Sequence, residues 1–439
     1  MTFPATPLNV TVELFIDAVW VNITNDILGR DDITITRGRS DAFGTSQAST
    51  LSLTLNNRSG KYSPKNPIGL YYGKIGRNTR IRVTLDGSLT RFIGEVSSWP
   101  ASWDTSAKDA WVSIQAAGIL RRIGQGSQPI NSSLKGFYLT TTPITYWPLD
   151  DGSDVDRGYP VAGTYRGSTI HRQYGYALSQ FAAGNLGPHM PPTLRINDTV
   201  PAAGIDELRG YCYSSSMTPS ALAYDFIYRT DPTISGDGSA MSNGWGFQAH
   251  VQGTDQASRE IWIVVFRADG TNNDIQLRHV IEDGFNPAVI TNLADSAPLF
   301  AITDGQLHHV RLLVTQNGAN TDATIYVDGV SVVMGTRTTH TLRQAWYVVL
   351  YYNRVDPEDW MAIGHVIVWE GANIPALATA AVLATGYIGE AAGRRFERLC
   401  GETGTPFLGN GDLDDTLAMG QQFTDYLENQ LTEIEATDR

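Results

Sequence analysis

The sequence predicts a mainly β protein: a small antiparallel β-barrel or sandwich first, then a larger two-sheet sandwich of jelly-roll type, then a short α-helical C-terminal segment. Three observations carry this. Apolar residues alternate along many short runs, the period of half-buried strands. Glycine is abundant, at 43 of 439 residues, and aromatics reach 10%, while Asp-Gly and Pro/Asn-rich turn signals separate the runs. Beyond about residue 373 the apolar spacing changes from two to that of a helix.

The first segment, 1–140, reads as strands in close succession. Val10, Val12, Leu14 and Ile16 alternate along NVTVELFI, and Trp20, Val21 and Ile23 follow. DITITRGR, STLSLTLNN, TRIRVTL, RFIGEVSSW and AWVSIQAAG repeat the pattern. Ser59-Gly60, SPKNPIGLYYG and Asp86-Gly87 are turns, and GILRRIG (118–124) is one short helix or turn. Strands joined this tightly suit a small barrel or sandwich.

The middle segment, 141–372, carries longer runs: ALAYDFIYR, GWGFQAHV, EIWIVVFRADG, DIQLRHVI, HHVRLLVTQ, ATIYVDGVSV, WYVVLYY and AIGHVIVWEG. Asp269-Gly270, Asp304-Gly305 and Asp328-Gly329 mark turns between them. That many long strands fit a two-sheet jelly roll. In 373–439, NIPALATAAVLATGYIGEAAGRRFERLCGETG reads as one or two helices broken near Gly386 and Gly389. Leu413 to Met419 read as a loop. Phe423, Tyr426, Leu427, Leu431 and Ile434 then mark an amphipathic helix. The chain ends there at a charged terminus, so the natural protein is expected to continue past Arg439.

Composition bounds the function. The net charge is −13, but it is unevenly spread: +5 over 1–140, −11 over 141–375 and −7 over 376–439, with all five lysines in the first segment. Such a shift suggests segments with different partners. An acidic chain is a poor general nucleic-acid binder, because counterion release needs clustered Lys and Arg. Two cysteines, Cys212 and Cys400, form neither a disulfide framework nor a Cys-based zinc pattern. The start MTFPATPLNVTVEL lacks a signal-peptide pattern, and no apolar run is long enough to span a membrane. These features lead to the expectation of a protein made in the cytoplasm.

Residues 32–83, DITITRGRSDAFGTSQASTLSLTLNNRSGKYSPKNPIGLYYGKIGRNTRIRV, followed by RFIGEVSSW, resemble minor tail proteins of tailed phages that infect actinobacteria. The order of Arg-Gly-Arg, Asn-Asn-Arg-Ser-Gly-Lys-Tyr-Ser-Pro, Asn-Pro, Tyr-Tyr-Gly and Gly-Arg-Asn-Thr carries the likeness. It implies a β-barrel of the baseplate-hub or tail-tip kind. RRFERLCGETGTPFLGNGDLDDTLAMGQQ (394–422) resembles a later part of the same family, where a helix precedes a second barrel; the resemblance leads to the expectation that this second barrel is largely missing from the sequence. The middle resembles the laminin-G or concanavalin-A-like lectin fold through ITYWPLDDGSDVD, DGQLHHVRLLVTQNG, ATIYVDGVSV and AIGHVIVWEG. With tail-like sequence on both flanks, the sandwich reads as an insertion.

Site residues follow from chemistry. Trp346, Tyr347, Tyr351, Tyr352 and Trp360 offer rings on which a sugar can stack; Tyr347, Tyr351 and Trp360 are the chosen glycan-binding residues, although one face of their strand must be core. Asp150, Asp151, Asp154 and Asp156 are the densest acidic cluster. Such oxygens suit calcium, with Asp150, Asp151 and Asp154 as the ligands, yet the string lacks EF-hand spacing and also reads as a solvated loop. No other cofactor is expected. Arg37, Arg39, Arg77 and Arg80 are expected at contacts with neighbouring subunits or in solvent. His308 and His309 are adjacent on a strand, point to opposite faces and cannot share an ion.

Sandwich glucanases place carboxylates as Glu-x-Asp-x-x-Glu on one strand, and no such string occurs; no Gly-x-Ser-x-Gly elbow or phosphate loop is present either. The expectation is therefore a non-enzymatic virion protein of the tail tip. The resemblance implies a ring, a trimer favoured, whose partners are the tail tube or distal tail protein, the tape measure and tail fibres. A host-surface glycan would be held by the inserted sandwich, with neither nucleic acid nor membrane insertion involved. The alternatives are a wall-degrading tail enzyme and a purely architectural spacer.

Overall fold

In a computed structural model the chain is described over residues 9–29, 31–38, 46–106, 108–124, 128–163, 168–174, 178–197, 206–230, 244–252, 258–268, 273–283, 289–296, 303–352, 360–405, 407 and 411–437. It begins with β1 (Val10–Ile16), β2 (Val19–Asn22), β3 (Thr34–Gly38), β4 (Gln47–Asn56), β5 (Arg80–Leu85), β6 (Leu89–Ser98), β7 (Ala101–Trp103), β8 (Ala110–Ala117), α1 (Ile119–Ile123) and α2 (Ser133–Thr140). There follow β9 (Thr145–Trp147), β10 (Arg157–Gly158), β11 (Ile170–Tyr174), β12 (Leu178–Gly184), β13 (Thr193–Asn197), β14 (Asp206–Tyr211), β15 (Ala221–Thr230) and β16 (Gly244–Gln252). Then come β17 (Ser258–Ala268), β18 (Asn273–Asp283), β19 (Val289–Asp295), β20 (His308–Asn317), β21 (Asn320–Val327), β22 (Val330–Arg337), β23 (Ala345–Tyr352) and β24 (Trp360–Glu370). Three helices close the chain: α3 (Leu377–Ala384), α4 (Ala392–Glu402) and α5 (Leu427–Thr437). The protein is mainly β, as the sequence predicts. Among the described residues no helix is long and apolar enough to cross a membrane.

The chain forms two compact units. One comprises 1–130, 391–417 and 425–439; the other comprises 131–390 and 418–424. These bounds differ from the expected 1–140, 141–372 and 373–439. The helix α2 packs with the sandwich because Tyr138 is buried on that unit's sheet, and Ser133 Oγ donates to Leu383 O at 2.7 Å. The helical segment after 372 is likewise divided, with α3 in the sandwich unit and α4 and α5 in the other.

The first unit is one antiparallel sheet ordered β2–β1–β5–β6–β8–β4–β3, with β7 on β8. β1, β4, β5, β6 and β8 send alternate residues inward: Val12, Leu14, Leu53, Leu55, Ile81, Val83, Phe92, Val96, Val112 and Ile114 form one core. Residues 23–28 close the sheet. Ile23 N donates to Val12 O (2.8 Å) on β1, and Leu28 N donates to Thr54 O (2.9 Å) on β4. Closure pairs strand edges that would otherwise stay open. The motif-bearing loop after β4 packs on this core through Tyr62, which is fully buried. Asn57 shapes the loop, accepting from Tyr62 N (2.9 Å) and donating to Ser63 Oγ (2.8 Å). The Asp86-Gly87 turn has φ of +50° and +72°, as a tight hairpin between twisted strands requires.

The second unit is a jelly-roll sandwich of two eight-stranded antiparallel sheets. The front sheet runs β10–β11–β14–β23–β16–β17–β18–β19, and the back sheet β12–β13–β24–β15–β20–β21–β22 with β9 on β24. Between them lie Trp147, Tyr224, Phe226, Tyr228, Trp245, Phe247, Trp262, Phe266, Leu312, Val348 and Leu350. Trp245 and Phe266 face each other across β16 and β17 and stack at 3.8 Å. The outer face of the back sheet is buried too, under Leu134, Tyr138, Ala380 and Leu383 of α2 and α3. Cys212 is buried in the sandwich unit and Cys400 in the other, and burial pushes both thiols up.

A bulge in β24 shifts its register against β15 and leaves His365 at φ +54°. The ring is fully buried, with Nδ1 2.6 Å from Tyr146 Oη. Burial lowers its pKa from 6.5 to about 3. Lys135, His189 and His309 add to the shift, and Asp150 opposes it. Above pH 6.5 neither state carries this proton. As pH falls from 6.5 towards 3 the unfolded chain takes it up and the folded chain does not. Stability from this residue therefore falls by about 1.4 kcal/mol per pH unit across that window. Urea midpoints taken from pH 7 to pH 4 should drop less steeply in His365→Gln; parallel slopes would refute the assignment.

Candidate functional site

On β23, Val348 and Leu350 fill the core, so strand parity turns Tyr347, Val349 and Tyr351 to the outer face of the front sheet. The neighbouring strands place partners beside them. On β14, Tyr211 lies opposite Tyr347 and Arg209 opposite Val349. On β16, His250 lies opposite Tyr347 and Gly246 opposite Tyr351. A Cβ at Gly246 would fall 2.5 Å from Tyr351 Oη, so the glycine makes room for that phenol.

Tyr347 is the hub of this patch. His250 stacks on it at 4.0 Å and 18°, and the Arg209 guanidinium lies 4.6 Å from its centroid, reaching in from the strand on the other side. Burial holds the His250 pKa well below its ordinary value, and the nearby Arg209 and Arg259 push the same way. His250 Nε2 is 2.8 Å from Gln248 Oε1, and Arg209 Nη2 lies 3.5 Å from Glu207 Oε2. Tyr347 is only 2% exposed and Tyr351 9%. They are therefore the floor of the patch, and the ring of Tyr347 is already covered by His250 and Arg209. The half-buried aromatics are Tyr211, Tyr213 and Trp346. Tyr211 and Tyr213 lie nearly parallel at 6.5 Å, and Trp346 Nε1 donates to Tyr213 Oη at 3.2 Å. Reading the sequence alone misses Tyr211, Tyr213, Arg209 and His250. Only the pairing of β14 and β16 with β23 brings them to Tyr347, and no local pattern announces that register.

Trp360 sits elsewhere. It belongs to β24 of the back sheet and packs towards the helix-covered face, with the Arg195 guanidinium 5.7 Å from its ring. The structure thus brings Tyr347 and Tyr351 together and leaves Trp360 apart. The side chain of Tyr352 lies outside the described residues.

The acidic loop does not gather its oxygens. Asp150 is ion-paired with Lys135, and Asp151 accepts from Tyr159 N at 3.3 Å. Burial raises the Asp151 pKa, with the Tyr159 amide opposing. Among the described residues the one group of three His, Cys, Asp or Glu donors within 4.8 Å of one another is Glu260, His279 and His340, so Asp150, Asp151 and Asp154 do not form one.

His308 and His309 engage different carboxylates, as strand parity requires. His308 Nδ1 is 2.7 Å from Asp328 and its Nε2 3.0 Å from Asp304, whereas His309 Nε2 is 2.9 Å from Asp225. In the barrel unit, Arg37, Arg77 and Arg80 are exposed. Arg37 donates to Arg91 O at 3.4 Å, and Arg80 lies 5.2 Å from the Phe15 ring. Arg39 falls outside the described residues.

No family model matches the chain, and no curated protein matches it. Among solved structures it is similar to the receptor-binding domain of botulinum neurotoxin type G, at 9% identity and a TM-score of 0.33, over 57% of this chain and 53% of that one. The chain therefore spans about half the length of that structure. It is also similar to carbohydrate-binding module CBM66 from Bacillus subtilis, at 9% identity and a TM-score of 0.25, over 45% of this chain and 94% of that one. A Bacillus licheniformis beta-glucanase matches at 13% identity and a TM-score of 0.30, over 53% of this chain and 100% of that one. Likeness of this size leaves the fold assignment resting on the chain's own sheet order.

Proposed function

We propose that the chain is a structural, glycan-contacting protein of a phage tail tip. The sandwich meets a saccharide and the barrel unit serves assembly. The observation that carries the saccharide reading is the outward aromatic patch of the front sheet. Tyr211, Tyr213 and Trp346 present ring surface above the Tyr347 floor, and Arg209 and Gln248 supply polar groups beside it. A few directed polar groups among aromatics is the usual make-up of a small-ligand site. The patch is built for binding: the carboxylate beside it, Glu207, lies against Arg209, whereas hydrolysis of a glycoside needs a pair of carboxylates flanking the bond. A wall-degrading enzyme is for that reason the weaker reading.

The assembly role draws support from the make-up of the barrel unit. Residues from both flanks of the sandwich, 1–130 and 391–417 with 425–439, build that one unit. That matches an insertion into a protein whose two flanks resemble one tail family. A ring, with a trimer favoured, would multiply a single weak site into useful avidity. Other tail proteins would then be its neighbours in the virion.

The test is a glycan array probed with the full chain, followed by titration of each hit. Millimolar binding that falls at least ~10-fold in Tyr213→Ala and in Trp346→Ala is the expected result. Absence of binding at millimolar sugar would leave the architectural role. Labelling of intact particles with an antibody to the chain should mark the tail tip, and label elsewhere would overturn the assembly reading.

A further inference from the structure

Inside the sandwich, at the end where β20 turns into β21, Glu260 and His279 meet His340. Glu260 lies on β17 and His279 on the adjacent β18. His279 is directly opposite Trp262, and both point into the core side of the front sheet. His340 comes from the connection between β22 and β23. His340 Nε2 is 2.9 Å from Glu260 Oε2.

All three side chains are withdrawn from solvent. His279 is 0% exposed, and the side chains of His340 and Glu260 are 9% and 7% exposed. Trp262 walls the cluster at 4.4 Å from the His279 ring and 5.9 Å from the His340 ring.

Two features distinguish this cluster from an ordinary buried pair. First, neither Nδ1 nor Nε2 of His279 has a hydrogen-bond partner. A buried polar group left unpaired is costly and uncommon, and calls for a partner. Second, His340 is already oriented from behind. Its Nδ1 lies 2.8 Å from Thr321 Oγ1, which turns Nε2 towards Glu260 and His279. An outer hydrogen bond that fixes the second ring nitrogen is the arrangement metal-binding histidines use. Two imidazoles and one carboxylate suit zinc or a neighbouring first-row ion, and not calcium or magnesium, which prefer oxygen alone.

We propose that Glu260, His279 and His340 bind one zinc ion, with a water in the fourth position. The ion would supply the missing partner of His279 and fasten the connection 338–344 to β17 and β18. It is distinct from the acidic loop at 150–154 and from the aromatic patch, and it does not depend on the glycan reading.

The full chain, stripped with a chelator and returned to micromolar zinc, should take up one ion per chain by elemental analysis. Its melting temperature should rise by several degrees, because a ligand bound only by the folded state stabilises it. Thr321→Val leaves the three donors in place and should weaken zinc binding by about 10–100-fold. His340→Ala should abolish the stoichiometric uptake. The proposal is overturned if the stripped wild-type chain takes up no zinc, or if His340→Ala and Thr321→Val both bind as wild type does.

Discussion

Replacing Asp225 with alanine should cost the sandwich about 3–5 kcal/mol, because it strands a buried arginine. Asp225 is fully buried on the outer face of β15, beneath α2. Its Oδ1 takes the Arg311 Nε at 2.6 Å, and its Oδ2 takes Arg311 Nη2 at 2.8 Å and His309 Nε2 at 2.9 Å. Tyr138 Oη of α2 approaches the same oxygen at 3.3 Å. Burial alone would raise the carboxyl pKa, but Arg311 and His309 outweigh it and hold Asp225 below its ordinary value. In the alanine variant Arg311 keeps Pro375 O at 2.7 Å and the Trp369 ring, but no carboxylate. A urea titration read at the sandwich transition checks the figure, and a loss under ~1 kcal/mol would show that the network is idle. The pair Asp225→Leu with Arg311→Met should recover most of the loss, since replacing both charges removes the stranded one.

The second large effect concerns Tyr62 in the barrel unit. Tyr62→Ala should cost that unit about 3–5 kcal/mol, the range for removing a fully buried aromatic side chain. The ring stacks with Trp99 at 6.4 Å and 7°, and touches Tyr71 at 5.7 Å. Its hydroxyl donates to Asp26 Oδ2 at 2.6 Å, an oxygen that also holds Lys61 Nζ at 2.7 Å. Tyr62→Phe keeps the ring and should cost only about 0.5–1.5 kcal/mol, because Lys61 still satisfies the carboxylate. The gap between the two variants, read by chemical denaturation, separates packing from hydrogen bonding. Equal losses would place the hydroxyl, not the ring, at the centre of the loop's stability.

These two sites also show where sequence is informative. Runs with clean alternation form strands nearly as read: β1 takes up all of NVTVELFI but its first residue, β4 all of STLSLTLNN but its last, and β15 the whole of ALAYDFIYR. The break near Gly386 and Gly389 separates α3 from α4, both glycines at positive φ. Between Thr145 and Tyr211 the strands are short, with β9 three residues long and β10 spanning only Arg157–Gly158, so neighbouring strands rather than local pattern define them. The helix α2 was missed as well. SLKGFYLT carries a glycine and β-branched or aromatic residues that favour a helix weakly, and the Ser132 cap and the burial of Tyr138 hold it instead. The same limit applied to function. Tyr347 and Tyr351 could be named from their rings and parity. Tyr211 and His250, or Glu260, His279 and His340, become neighbours only once strands pair and a loop folds over them.

The two hidden sulfurs give the molecule a pair of independent clocks. Cys212 and Cys400 are the chain's only thiols, each shut inside a different body and each disinclined to ionise. An alkylating reagent can reach either one only when its own body breathes open. The pace at which each sulfur is tagged therefore times the loosening of one half of the protein without a signal from the other.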